Sequence, residues 1–278
     1  MTWGAWGKQL NDTQMIDLMN HCISQGITTF DHADIYGDYS TEEDFGTAFA
    51  KANIDRSTIQ LISKCGIQYT GNARLENRVK HYEYTAKYII WSAERSLQLL
   101  QTEYLDLLLL HRPSPLMQSD EVQKAIEQLK ASGKILDFGV SNFTPSQIDL
   151  ISTKSPISVN QIEFSLTQHT AMHDGTLDHM QTKGIVPMSW SPLGSVFRED
   201  TPQTQRIKTL LGTLTEKYNA TEDQLLLAWI MQHPSGVHPV IGTTTKERIT
   251  NAVKAVSITL ELQDWFALLI ESQGHKVP

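Results

Sequence analysis

The sequence predicts an α/β protein of the (β/α)8, or TIM, barrel class, and three observations support that prediction. Short apolar runs alternate with longer segments of helical period along a chain of 278 residues. Most of these runs are continuously apolar, which is typical of strands in a parallel sheet that is buried on both faces. The alternation of strand and helix repeats eight times, at about the length that a closed barrel requires.

The predicted strands lie at residues 2–5, 28–31, 59–64, 105–110, 135–140, 157–162, 185–190 and 238–241. The predicted helices lie at residues 12–24, 41–51, 84–100, 120–131, 144–151, 175–183, 202–218, 221–232, 246–256 and 260–273. Asp12 and Thr41 are predicted to cap the first two helices, and acidic residues follow Thr41 in the first turn, where the helix dipole favours them.

An open, doubly wound sheet is the alternative fold class for such a pattern. That fold binds a dinucleotide on a G-x-G-x-x-G turn after its first strand. The turn Gly4-Ala5-Trp6-Gly7 lacks this spacing. We therefore predict one barrel domain that spans residues 1–278.

Composition and charge exclude several classes of function. Lys and Arg total 23 and Asp and Glu total 31, and the resulting net charge of -8 argues against binding to nucleic acid or to an anionic membrane. A hydrophobic content of 40% excludes a disordered chain. Two cysteines, no targeting segment and no apolar run near the roughly 20 residues of a membrane span together predict a cytoplasmic protein.

Ionisable residues follow three of the predicted strands. Asp31 and Tyr36 follow the second strand, Lys64 ends the third, and His111 follows the fourth. In a barrel of this class, catalytic groups lie at the carboxyl ends of the strands. These four side chains are therefore expected to meet at one end of the sheet.

Together these residues fit one kind of chemistry. An ammonium beside a phenol favours the phenolate, so Lys64 makes Tyr36 a better proton donor near neutral pH. A carboxylate such as Asp31 keeps a buried ammonium charged. His111 adds a hydrogen bond to the same substrate oxygen. The set predicts a site that protonates a carbonyl oxygen as it becomes an alkoxide.

Segments that run in order along the chain carry a resemblance to a known family. They are residues 26–37 (GITTFDHADIYG), 62–66 (ISKCG), 105–113 (LDLLLLHRP), 133–143 (GKILDFGVSNF), 160–163 (NQIE), 190–194 (WSPLG), 241–243 (IGT) and 247–248 (ER). The sequence resembles the aldo-keto reductases, and among them a bacterial branch of oxidoreductases of unassigned substrate. Each segment alone is weakly specific, but the ordered set covers nearly the whole chain.

The resemblance implies a (β/α)8 barrel that reduces aldehydes and ketones to alcohols with NADPH, or with NADH. Tyr36 is then the general acid, Lys64 the partner that makes it more acidic, and Asp31 the partner of Lys64. His111 orients the substrate carbonyl.

The resemblance also implies which residues contact the cofactor. The nicotinamide carboxamide is bound by Ser141, Asn142 and Gln161, and Trp190 stacks against the nicotinamide ring. The pyrophosphate is lined by Ser191, Leu193 and Gly194. The adenosine 2′-phosphate is contacted by Thr243 and Arg248, since a guanidinium meets phosphate oxygens with two hydrogen bonds.

Three features depart from the family pattern. The β-hairpin that usually precedes the first strand is missing from the sequence. Gly242 stands where many relatives carry a basic residue, so the preference for NADPH depends mainly on Arg248. His32 replaces a small residue beside Asp31, where it either narrows the pocket or adds a polar contact. We also expect loop 66–81, which contains Tyr69, to form part of the substrate pocket.

Two other functions stay open at this point. A cofactor-binding module with a regulatory or sensing role would keep the nicotinamide site and show little turnover. A barrel hydrolase would use two carboxylates such as Asp31 and Glu163, but it gives no role to Lys64 or Arg248. No metal site is predicted, because His169, His173 and His179 have no regular ligand spacing.

Overall fold

The computed structural model of this protein describes residues 2–278. The chain divides into two compact units, Met1–Asn160 and Gln161–Pro278, and each has its own elements and buried core. The prediction of a single barrel domain stays a prediction. Among the described residues, no helix is both long and apolar enough to cross a bilayer.

The first unit is built from strands that alternate with helices. Its strands are β1 (Thr29–Asp31), β2 (Gln60–Cys65), β3 (Ile67–Gln68), β4 (His81–Tyr82), β5 (Leu105–Leu110) and β6 (Ile135–Ser141). Its helices are α1 (Asp12–Ser24), the single turn α2 (Tyr36–Tyr39), α3 (Thr41–Lys51), α4 (Ala86–Leu100), α5 (Ser119–Ala131) and α6 (Pro145–Ser152). Strands β1, β2, β5 and β6 pair in parallel in that order.

The apolar runs of the sequence are the buried strands of this sheet, as predicted. Every residue of β5 except Asp106 is buried, and Leu108 and Leu109 have no exposed surface. Strands that are covered on both faces need apolar side chains at successive positions, which explains the continuous run. Helices α1 and α3 begin where expected, but their N-caps are Asn11 and Ser40 instead of Asp12 and Thr41.

The prediction of a strand at residues 2–5 is wrong. This segment folds back on itself, because the amide of Lys8 donates to the carbonyl of Thr2 and the amide of Leu10 donates to the carbonyl of Trp3. Gly7 permits the close approach, since a Cβ there would lie 1.8 Å from the carbonyl oxygen of Thr2. The backbone groups that a strand would offer to a sheet are therefore already paired locally.

The loop after β2 contains a hairpin that the sequence did not predict. Ile67 pairs with Tyr82 and Gln68 with His81 in an antiparallel ladder between β3 and β4. Gly66 precedes it with φ +109°, in a conformation that disfavours a side chain, and a Cβ there would overlap the ring of Tyr84. Two-residue strands are too short to give a periodic signal in the sequence.

The second unit contains β8 (Val186–Trp190) and β9 (His238–Pro239), which pair in parallel, and the end of β7 (Val159–Glu163). Its helices are α7 (Thr176–Lys183), α8 (Pro202–Tyr218), α9 (Glu222–Met231), α10 (Lys246–Lys254) and α11 (Leu262–Gln273). Two stacked indoles fix α11 on α9. The ring nitrogens of Trp229 and Trp265 each donate to the other residue's carbonyl, and the ring planes lie within 9°.

Two carboxyl groups are buried between the sheet and the helices of the first unit. Ser92 donates to the carboxylate of Asp34, while Ser63 and Ser96 donate to Glu42. Burial raises the pKa of Asp34 to about 7, and the charge of Glu42 adds to this effect. Burial also raises the pKa of Glu42 to about 6, although the two serines and Lys64 oppose the shift.

Because the pKa values of Asp34 and Glu42 are raised in the folded protein, we expect the free energy of unfolding to fall as the pH rises. In the unfolded chain Asp34 ionises near pH 3.8 and Glu42 near pH 4.5. In the folded protein the pKa of Asp34 is about 7 and that of Glu42 is about 6. Between those limits the folded state binds more protons, so stability is lost with increasing pH. Asp34→Asn should raise the thermal midpoint more at pH 8 than at pH 5, and the exposed Asp120→Asn should show no such difference between the two pH values. Equal destabilisation by Asp34→Asn at both pH values would contradict this.

Candidate active site

The strand ends of the first unit place four side chains along one edge of its sheet. Asp31 is the last residue of β1, Lys64 is the next-to-last residue of β2, His111 follows β5, and Ser141 ends β6. The register continues past the strands, because the amide of His111 donates to the carbonyl of Cys65. Parallel pairing therefore brings the carboxyl ends of these strands to the same edge.

The ammonium of Lys64 is at the centre of this group. Lys64 has no exposed surface, and its Nζ donates to Asp31 Oδ2 at 2.7 Å and to the carbonyl of His32 at 2.8 Å. It also lies 3.1 Å from the hydroxyl of Tyr36. An ammonium has three donors, and these partners account for all three.

The charge state of Lys64 follows from these contacts. Burial lowers the pKa of its ammonium, but the carboxylate of Asp31 and the hydroxyl of Tyr36 outweigh burial, so the pKa lies above its usual value. The ring of Tyr36 adds to this, since Nζ lies 4.9 Å from the ring centroid. Lys64 therefore stays charged at neutral pH beside the phenol.

His111 supplies a neutral imidazole next to the phenol. Its ring stands edge-on to the ring of Tyr36, with centroids 5.8 Å apart. Burial lowers the pKa of His111 well below its usual value, and the charges of Lys64 and Arg112 lower it further. A neutral imidazole carries one N–H, which can donate to a carbonyl oxygen. Tyr84 fixes the following segment by donating to the carbonyl of Arg112 at 2.6 Å.

Two of the predicted cofactor residues lie in the first unit. Ser141 is buried, and Asn142 has φ +62°, in the left-handed region that asparagine tolerates better than most residues. The side-chain nitrogen Nδ2 of Asn142 donates to the hydroxyl of Ser141 at 2.7 Å. A hydroxyl and a carboxamide are groups that match the donors and acceptor of another carboxamide.

Strand ends of the second unit carry most of the other predicted cofactor residues. Gln161 is buried in β7, Trp190 is half-buried at the end of β8, and Ser191 follows with φ +51°. Leu193 is half-buried. Gly194 has φ +56°, and a Cβ there would lie 2.0 Å from the hydroxyl oxygen of Thr167, so the turn after β8 requires glycine.

The last two predicted cofactor residues lie at the start of α10. The hydroxyl of Thr243 accepts from the amide of Thr245, the N-cap residue of that helix. Arg248 is exposed in the first turn. A guanidinium in the first turn of a helix, where the helix dipole is positive, fits an anionic phosphate.

The side chain of His32 lies in the packed interior, against Phe45. It is fully buried, its ring lies 4.4 Å from that of Phe45, and neither ring nitrogen has a hydrogen-bond partner among the described residues. Burial lowers the pKa of this histidine well below its usual value. His32 is therefore an uncharged part of the packed interior. Its side chain neither narrows the pocket nor adds a polar contact to it.

Comparisons with known proteins show the family to which the chain belongs. The model of the aldo/keto reductase family matches residues 1–268. The chain belongs to the aldo/keto reductase family. It is 41% identical to an uncharacterized oxidoreductase of Bacillus subtilis, YcsN, over 96% of this chain and 91% of that protein. It is also 38% identical to a 6-dehydroglucose reductase of Agrobacterium fabrum, over 92% and 86% of the two chains.

Solved structures of aldo-keto reductases have the same fold. A thermostable enzyme, Tm1743, crystallised with the inhibitor epalrestat, is 26% identical and aligns with a TM-score of 0.81 over 97% of this chain and 93% of its own. An aldo/keto reductase of Klebsiella pneumoniae, in complex with NADP and acetate, is 26% identical, with a TM-score of 0.77 over 96% and 88%. The predicted α/β (β/α)8 fold class is confirmed.

Membership of the family also decides the class of activity. This aldo-keto reductase is an NAD(P)H-dependent oxidoreductase that acts on small carbonyl compounds. The hydrolase alternative based on Asp31 and Glu163 is therefore rejected. The sequence analysis did not single out Asp38, Tyr39 or Arg74, because each resembles an ordinary polar or aromatic loop residue. Asp38 and Tyr39 lie in the turn that begins at Tyr36, and Arg74 contacts Tyr39.

The buried ion pair predicts a large loss of stability when its carboxylate is removed. Asp31→Ala leaves the ammonium of Lys64 buried and uncompensated, so the free energy of unfolding at pH 7 should fall by about 3–5 kcal/mol. Since pairing raises the pKa of Lys64, this contribution is present at neutral pH and is lost as the pH rises through that pKa. Urea unfolding at pH 7 measures the change.

A matched control is available in the same unit. Glu94 pairs with Lys134 at 2.6 Å, but both side chains are more than a third exposed. Glu94→Ala should therefore change stability by only about 0–1 kcal/mol. Similar losses for the two variants would show that Lys64 does not depend on Asp31.

Proposed function

We propose that this aldo-keto reductase reduces aldehydes or ketones to alcohols with NADPH, and that Tyr36 is the general acid. One observation carries the proposal: the Tyr36 hydroxyl lies 3.1 Å from the buried ammonium of Lys64. An ammonium in that place stabilises the phenolate that remains after Tyr36 gives up its proton. Asp31 supports the step because it keeps Lys64 charged and oriented.

The division of roles between Tyr36 and His111 follows from their surroundings. The lowered pKa of His111 means that its ring is neutral at neutral pH, and a neutral imidazole is a very weak acid. His111 can still donate its one N–H to the carbonyl oxygen and hold it in place. The proton is therefore delivered by Tyr36, whose leaving charge is balanced by Lys64.

The reductant supplies the other half of the reaction. NADPH, when bound, provides the hydride that the carbonyl carbon receives. The residues of this chain that we assign to it are Ser141, Asn142, Gln161, Trp190, Ser191, Leu193, Gly194, Thr243 and Arg248. The hydroxyl of Ser141 and the carboxamide of Asn142 suit a carboxamide, and the exposed guanidinium of Arg248 suits a phosphate. NADH is the alternative, because Gly242 brings no second positive charge.

The substrate class is a small carbonyl compound, and the relatives suggest which ones to test. The relative from Agrobacterium fabrum is named a 6-dehydroglucose reductase. We therefore propose that polyhydroxylated aldehydes belong in the substrate panel beside aromatic aldehydes. Loop 66–81 is the segment that we expect to discriminate between them, since Tyr69 and Tyr36 pack against the same apolar cluster.

Tyr36→Phe should remove the proton donor and keep the ring. We expect kcat for carbonyl reduction to fall at least about a hundredfold, while the dissociation constant for NADPH stays unchanged. NADPH oxidation measures the first quantity, and quenching of protein fluorescence measures the second. Tyr82→Phe is the matched control, because Tyr82 packs against the same apolar cluster. Cofactor binding without turnover in the unmodified protein, unchanged by Tyr36→Phe, would favour the sensing module.

Arg248→Ala tests the assignment of the 2′-phosphate. Loss of the guanidinium should weaken binding of NADPH about tenfold or more and leave binding of NADH unchanged, since NADH lacks that phosphate. Lys254→Ala, in the last turn of the same helix, removes an equal charge and should affect neither. Equal weakening of both cofactors by Arg248→Ala would contradict the assignment.

A further inference from the structure

The residues that follow Tyr36 have an unusual backbone conformation. Gly37, Asp38 and Tyr39 lie consecutively in the left-handed region, with φ +65°, +56° and +69°. Only glycine adopts this conformation without cost, so Asp38 and Tyr39 are strained. Such a turn persists only where surrounding contacts determine it. In this protein those contacts come from loop 66–81 and from α4.

The side chain of Asp38 binds the backbone of the loop. Its Oδ2 accepts from the amide of Asn72 at 2.7 Å and from the amide of Ala73 at 3.2 Å. Gly71 permits the approach, because a Cβ at that position would lie 1.9 Å from Asp38 Oδ1. The loop and the turn therefore fit each other through backbone groups as well as side chains.

Tyr39 makes a second connection to the same loop. Its hydroxyl donates to the carbonyl of Ile67 at 3.3 Å and accepts from the amide of Tyr69 at 2.9 Å. The hydroxyl thus bonds to both sides of Gln68. Tyr39 itself is buried, and burial raises the pKa of its hydroxyl, so the group remains a donor.

Arg74, also in loop 66–81, contacts Tyr39 and α4. Its guanidinium lies over the ring of Tyr39, 3.9 Å from the centroid. It donates to the side-chain oxygen of Gln68 at 2.6 Å and to the hydroxyl of Tyr88, in α4, at 3.0 Å. The ring of Trp91 lies 5.1 Å away. Arg74 therefore fastens the loop and Tyr39 to a helix.

These contacts act close to the proton donor. The carbonyl of Tyr36 accepts from the amide of Ser40, so the turn from Gly37 to Tyr39 is closed by Tyr36 itself. The ring of Tyr36 packs against the cluster that contains Tyr39 and Ile67. A shift of Tyr39 or of the loop would thus move the Tyr36 hydroxyl relative to Lys64.

We propose that Asp38, Tyr39 and Arg74 are positioning residues for Tyr36. They hold the strained turn so that the phenol meets the ammonium of Lys64, and they make the reactivity of Tyr36 depend on the order of loop 66–81. The inference rests on the proposed function, because it assigns a cause to the placement of the general acid.

Tyr39→Phe is the decisive variant, because it removes two hydrogen bonds and changes neither charge nor ring packing. We expect kcat to fall about tenfold, with the dissociation constant for NADPH unchanged. The pH profile of kcat should also change, since the hydroxyl of Tyr36 would no longer be held against the ammonium of Lys64. Arg74→Met should have the same effect on kcat, and Arg74→Lys should restore part of it. Lys124→Met, exposed in α5 and outside the loop, is the control.

A double variant separates positioning from stability. In a Tyr36→Phe background, Tyr39→Phe should cause no further loss of kcat, because the residue acts through Tyr36. If Tyr39→Phe lowers the thermal midpoint but leaves kcat and the pH profile like those of Lys124→Met, the inference is overturned and the proposed function stands. If Tyr36→Phe alone leaves turnover unchanged, the proposed function fails.

Discussion

A buried lysine ammonium is the constraint on which the rest of the site depends. An uncompensated charge in a protein interior is very costly, so Lys64 must have a partner for each of its three donors. Those partners are Asp31, the carbonyl of His32 and the hydroxyl of Tyr36. The requirement ties β1, β2 and the turn after β1 together, and it leaves the phenol as the one partner with a proton to give.

The same charge separates the protonation states of its neighbours. It lowers the pKa of His111, which burial has already lowered, and it opposes the effect of burial on Glu42. The resulting site holds a charged ammonium, a neutral imidazole and a phenol within one small region. Groups whose environments drive them to different protonation states are what general acid catalysis needs.

The turn that carries Tyr36, the proposed general acid, is held in place by contacts from residues distant in sequence. Asp38 and Tyr39 occupy an unfavourable backbone conformation, and the loop that compensates for it begins about thirty residues later. Arg74 connects this loop to α4 through Tyr88. The segment that we expect to contact substrate is thus also the segment that we propose to position Tyr36.

Local patterns in the sequence determined the strands and helices, because hydrophobic periodicity depends on residues a few positions apart. They also determined that Asp31, Lys64 and His111 share one edge, since parallel strands align their carboxyl ends. The segment at residues 2–5 defeated this reasoning, because its backbone groups pair with each other instead of with a strand. Only the tertiary structure decided that Asp38 binds Asn72, that Arg74 covers Tyr39, and that His32 is buried and His111 neutral. Those facts depend on partners distant in sequence and on exclusion of water, and neither is encoded in the pattern of any one segment.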